Sequence, residues 1–100
     1  MTEQSTVTVE QAAQVHAQHI VAGDRTALQQ GCVVPVRQDP PDLYAQLDAM
    51  TFERYAVLGH AKIGFQHVFK IRYFGAVTVT LHHRFGAVDG QWRMLESERV

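Results

Sequence analysis

Two periodicities divide this chain. From Val9 to Ala22 apolar residues recur at helical spacing, and beyond Thr51 they recur at every second position. Placed at 100° intervals, Val9, Ala12, Ala13, His16 and Ile20 gather on one face, with Glu10, Gln11, Gln14 and Gln18 away from it. Thr8, with Gln11 three residues on, reads as a capping box, and Gly23 as the left-handed residue that ends the helix. Asp24 is a natural N-cap for a second short helix, DRTALQQ, closed by Gly31. Residues 1–7 read as a short frayed tail. In VVPVRQDPPD, residues 33–42, Val33, Val34 and Val36 suit a short strand that Pro35 confines to a sheet edge. Pro40 and Pro41 break whatever precedes them, and Asp42 is expected to cap a third helix, LYAQLDAM, with Leu43, Leu47 and Met50 on one side.

The second half reads as four strands: FERYAVLGHAKI, FQHVFKIRYF, AVTVTLHHRF and QWRMLESERV, punctuated by Gly64, Gly75 and Asp89-Gly90. Asp-Gly between two such runs marks a tight hairpin, because the turn needs positive φ. Long strands joined by short turns pair as antiparallel neighbours. The expected inward rows are Phe65, His67, Phe69, Ile71, Tyr73; Val77, Val79, Leu81, His83, Phe85; and Trp92, Met94, Glu96. In the first run Tyr55 and Val57 are read as inward. Gly59 reads as a bulge that switches parity beyond it, which leaves His60 unassigned. The opposite face mixes Val68 and Phe74 with Lys70 and Arg72, and Thr78 and Thr80 with His82 and Arg84. That mixture is too apolar in places for a bare surface and too polar for a core, so a homodimer through the sheet face is the expected partner, with a partly exposed sheet face as the alternative. Helices followed by a meander give the α+β class, with helices packed on one face of a curved antiparallel sheet.

Length and composition then narrow the functions. One hundred residues make one domain, 1–100, with a modest core. A formal charge of −1, with the basic residues scattered, argues against nucleic acid. No apolar block is long enough to span a membrane, and the start, MTEQSTVTVE, is unlike a secretory signal. One cysteine, Cys32, fits a reducing cytoplasm.

The order of these parts resembles the nuclear transport factor two-like superfamily, a cone-shaped, cystatin-like α+β fold. Ketosteroid isomerase, the SnoaL-like polyketide cyclases and limonene epoxide hydrolase share it. The resemblance rests on Gly23-Asp24 with Ala27-Leu28, and on Asp89-Gly90 with Trp92, set around a long meander. It implies a pocket between the first helix and the concave sheet face, where enzymes of this superfamily place carboxylates, tyrosines or histidines. Many members are non-catalytic dimers. None of the catalytic signatures of the isomerases or epoxide hydrolases matches this chain residue by residue.

Candidate chemistry is therefore sparse. His16 on the apolar helix face reads either as a general base or as a buried neutral ring with one nitrogen hydrogen-bonded. His67 is a candidate to face it across the pocket, or else a rim residue. Glu96 is a candidate carboxylate partner, or else a solvated strand-end residue. Tyr55, Phe69, Tyr73 and Trp92 are the expected pocket lining, or simply core. Six histidines show no spacing that defines a metal site, and no cofactor is implied. The leading expectation is a small-molecule-binding or association module that dimerises, with a possible small apolar ligand. The competing readings are an isomerase- or cyclase-like enzyme using a pocket histidine, and a structural dimerisation domain with a filled core.

Overall fold

The computed structural model describes residues 8–24, 42–88 and 90–100 in full and the backbone of residues 32–39. Helix α1 spans Val9–Ala22. Its capping box forms as expected: Gln11 N–H donates to Thr8 Oγ1 at 3.1 Å, and Thr8 N–H donates to Gln11 Oε1 at 2.9 Å. Gly23, at φ 72°, ends it in a Schellman turn, with its N–H on the Ile20 carbonyl and the Asp24 N–H on that of His19. The buried face is Val9, Ala13, His16, Ala17 and Ile20. Ala17 replaces the expected Ala12, which is half-buried. Ala13 and Ala17, both fully buried, let the helix axis come close to the sheet, so the His16 ring reaches deep. The predicted helix DRTALQQ and the 1–7 tail lie outside the described residues.

Strand β1, Cys32–Asp39, is the edge strand that Pro35 foretells, and it is longer than the valine run suggests. It lies parallel to the last strand, with Cys32 opposite Met94 and Arg37 already opposite Glu96. The register slips between those two pairs, and Pro35, which has no N–H to give, falls within the slip. Helix α2 is short, Leu43–Asp48. Leu43 and Leu47 are buried and Met50 packs against the core. The expected Asp42 cap does not form. Its backbone is not extended, and its carboxylate accepts from Gln46 Nε2 at 2.9 Å instead.

The remaining strands are β2 (Phe52–Ile63), β3 (Gln66–Gly75), β4 (Val79–Val88) and β5 (Gln91–Arg99). They pair antiparallel in sequence, and β1 adds at the far side, for an order β1-β5-β4-β3-β2. The expected α+β arrangement, helix on a curved meander, is the one observed. Phe69, Ile71, Tyr73, Val79, Leu81, Phe85 and Met94 form the inner wall, with α1 and α2 packed on it. In the rows expected for β3 and β4, two residues fall outside the strands. Phe65 lies in the Gly64 turn and is 93% exposed, and Val77 precedes β4 and is half exposed. Both belong to longer turns than the strand pattern allows.

Register shifts decide which way side chains point. In β2 a shift between Val57 and Gly59 puts Tyr55, Val57 and His60 opposite the inward Tyr73, Ile71 and Phe69. The parity switch expected near Gly59 is therefore real, although the extra residue is Leu58. A second shift faces Phe85 with Met94 and Arg84 with Glu96, making Leu95 the extra residue. Beyond it Ser97, not Glu96, points inward.

Two glycines separate cleanly. A Cβ on Gly75 would run into the carbonyl oxygen of Thr51 and lie 3.1 Å from Phe52 Cα, whereas a Cβ on Gly59 meets nothing. Gly75→Ala is expected to cost about 1–3 kcal/mol in urea unfolding. Gly59→Ala should change stability by less than about 1 kcal/mol. Equal costs would contradict the strand approach described.

Candidate functional site

Five polar side chains from five elements meet inside the fold. His16 comes from α1, Tyr44 from α2, Ser97 from β5, His83 from β4 and Tyr73 from β3. Each is at most 6% exposed. His16 Nε2 lies 3.1 Å from Tyr44 Oη. Tyr44 Oη lies 2.8 Å from Ser97 Oγ, which is 2.7 Å from His83 Nδ1. His83 Nε2 in turn lies 2.9 Å from Tyr73 Oη. Ser97 Oγ also reaches the Met94 sulfur at 3.2 Å. The chain thus crosses the whole interface between helices and sheet.

One arrangement of protons gives every donor in it an acceptor. Tyr73 donates to His83 Nε2, and His83 Nδ1–H donates to Ser97. His16 Nε2–H donates to Tyr44, whose hydroxyl also donates to Ser97. In this arrangement the single Ser97 proton goes to the Met94 thioether, a weak acceptor. Ser97 is the node, and its position depends on the Leu95 bulge.

Apolar rings surround the chain. The His16 ring stands 4.9 Å from His83 and 5.9 Å from Phe85, in both cases edge to face. Burial drives the His16 pKa from 6.5 down to about 3, with a smaller push from His19. Burial also holds His83 well below the imidazole range, helped by His16 and His82, and pushes the Tyr73 phenol up. His16, His83 and Tyr73 are therefore neutral at pH 7. His16 occupies the position of a buried ring satisfied at one nitrogen.

The other sequence candidates sit elsewhere. His67 is half-buried at the rim, 2.7 Å through Nδ1 from His60 Nε2, with its ring edge-on to Trp92 at 5.2 Å. Glu96 lies on the outer face, where it accepts from Arg84 Nε at 3.2 Å. The inward row expected to carry it past Met94 is broken by Leu95. The structure does not bring His16, His67 and Glu96 together. Phe69 and Tyr73 are core residues, 2% and 0% exposed, while Tyr55 and Trp92 are half-buried at its margin. Among the described residues, a cleft of about 340 Å³ runs beside α1, lined by Gln18, Val21, Ala22, Glu53, Arg54 and Tyr55. It takes in Tyr55 but not the other three aromatic side chains.

Tyr44, His83 and Ser97 are the residues that sequence reasoning does not single out. His83 was legible as a polar residue in the inward row of β4. Tyr44, three residues before Leu47, was legible as part of the buried helix face. Ser97 was not, because its inward direction depends on an inserted residue.

Two outcomes follow from this geometry. Ser97→Ala leaves two buried donors facing a methyl group and should cost about 3 kcal/mol, whereas Met94→Leu keeps the volume and should cost about 1 kcal/mol. Both are read from urea midpoints. Acid should also unfold the protein early. Above pH 6.5 neither state holds a proton on these rings; below it the unfolded chain takes up protons that buried His16 and His83 refuse. Stability should therefore fall by roughly 2–3 kcal/mol between pH 7.5 and 5.5. A flat profile over that window would contradict neutral burial.

No protein-family model matches this sequence, and no curated protein matches it. Solved structures do. The chain is similar to an NTF-2 like protein of unknown function from Silicibacter pomeroyi, at 11% identity and a TM-score of 0.70, over 92% of this chain and 91% of that one. It is also similar to an NTF2-like protein from Cytophaga hutchinsonii, at 11% identity and a TM-score of 0.67, over 99% and 98% of the two chains. A de novo designed protein with a curved β-sheet aligns at 13% identity and a TM-score of 0.69, over 92% and 98%. At such identities the likeness is one of fold. This chain has the nuclear transport factor two-like fold.

Proposed function

We propose that this protein is a small, non-catalytic association domain that pairs with a second copy through the outer face of its sheet. One observation carries the reading: the space between α1 and the concave face is occupied by the protein's own rings. His16 packs on His83 and Phe85, and all three are at most 5% exposed. A general base needs to touch its substrate and to hold a proton near working pH. His16 is sealed from solvent and held neutral, which speaks against the isomerase-like alternative.

The outer face supports a self-partner. Val68, Lys70, Phe74, Thr80, His82 and Leu95 are half-buried there. Arg54 lies over Phe74 at 4.0 Å, and Arg84 pairs with Glu96. Apolar area interleaved with both signs of charge suits an isologous contact, in which each patch meets its own copy. No helix among the described residues is long and apolar enough to cross a membrane. A single cysteine fits the reducing cytoplasm as the place of action.

A second reading rests on the cleft beside α1. Its 340 Å³, walled by Val21, Ala22 and Tyr55 with Gln18, Glu53 and Arg54 around them, falls within the range of small-ligand sites. A small, mostly apolar organic molecule with one polar group would suit it.

Sedimentation equilibrium tests the main reading. The wild type is expected at twice the chain mass, and Val68→Glu at the chain mass with an unchanged far-UV spectrum. A wild type that stays monomeric at high concentration would overturn the pairing.

A further inference from the structure

The register shift at Leu58 turns His60 inward, opposite Phe69 and diagonal to His67. His60 Nε2 then stands 2.7 Å from His67 Nδ1. Both rings are supported from one side. His60 lies nearly flat on Phe69, centroids 4.1 Å apart and planes 14° apart, and His67 meets Trp92 edge-on. Glu10 of α1 completes the group, its Oε2 3.8 Å from His60 Nδ1. Unlike His16 and His83, this pair is open to water: His60 is exposed and His67 half-buried.

We propose that His60 and His67 form a binding site for a divalent transition-metal ion that favours right-angle ligand geometry, copper(II) foremost, with water in its remaining positions. Two nitrogens each about 2.0–2.1 Å from an ion lie about 2.9 Å apart when they meet it at a right angle, and about 3.3 Å apart at the tetrahedral angle. The observed 2.7 Å is nearer the first. Copper(II) also binds nitrogen sites most tightly among the divalent first-row ions.

The ion takes the place of the proton that the two rings share, and the protons balance without net release. His60 keeps its Nδ1–H, on the side of Glu10, and offers Nε2. His67 offers Nδ1, and its proton moves through water to Nε2. A carboxylate behind a ligating imidazole fixes the ring and raises its basicity, which is the part Glu10 takes. The rings now meet nearly end to end, with centroids 4.9 Å apart. Each therefore swings until both lone pairs converge beside the line between the nitrogens, and the open rim leaves room for this. Among the described residues no group of three or more His, Cys, Asp or Glu is placed to hold a metal. The site thus contributes two ligands and leaves exchangeable positions to an outside donor.

Trp92, the only tryptophan, lies against His67 and reports directly. Titration with copper(II) chloride at pH 7.5 should quench its fluorescence saturably, with one ion per chain, and zinc should compete only weakly. His60→Ala and His67→Asn should each weaken binding at least tenfold, and Glu10→Gln by a smaller factor. His82→Ala, on the outer face, should leave the titration unchanged. Far-UV spectra check that each variant is folded. Absent quenching, or quenching equally strong in His60→Ala, would overturn the site.

Discussion

Everything in this fold turns on seating one imidazole. A helix laid across a curved sheet needs contact along its length, and here the middle of that contact is the polar ring of His16. Burying it without a partner would cost several kcal/mol, which no small core can spare. The structure meets that demand by drawing a hydroxyl from α2 and, behind it, a serine from β5 and a histidine from β4. Because each link comes from a different element, the polar chain does more than satisfy its members. It specifies where the six-residue α2 sits relative to the helix and the sheet. A purely apolar interface of this size would tolerate sliding; a chain of directed bonds does not.

Two inserted residues make the rest possible. Leu95 turns Ser97 inward to become the node of the chain and sends Glu96 outward to Arg84. Leu58 turns His60 inward to meet His67. Both insertions bend their strands, and bending is what closes a sheet around a helix. Curvature and site geometry therefore have a common source. The designed curved-sheet protein that shares the fold with little identity makes the same point from outside: backbone shape is a small set of devices, open to very different sequences.

This division explains what was readable in the amino-acid sequence. Helix α1 announces itself, since Thr8, Gln11 and Gly23 each have one strong local role. The core rows of β3 and β4 follow from strict alternation, so Phe69, Ile71, Tyr73, Leu81 and Phe85 are legible. Edge placement of β1 is legible from Pro35. Facing in β5 is not, because the alternation Trp92, Met94, Glu96 continues smoothly through a residue that the backbone in fact skips. In β2, Gly59 betrays the irregularity but does not say which neighbour is extra. The candidate site suffers accordingly. His16 stands out as a polar residue in an apolar stripe, while its partners lie 28 or more positions away and are joined to it only by the topology. No local pattern encodes such a meeting.

The place of β1 and β5 bears on how the chain reaches this state. The earliest strand pairs with the latest, and the node of the polar chain, Ser97, also lies on that latest strand. Until β5 docks, β1 lacks this sheet partner and Tyr44 and His83 have to rely on water. The hairpins of β2 to β5 form from near neighbours, whereas pairing β1 with β5 joins residues some sixty positions apart. Of the pairings in this sheet, the one between β1 and β5 therefore carries the largest loop-closure cost.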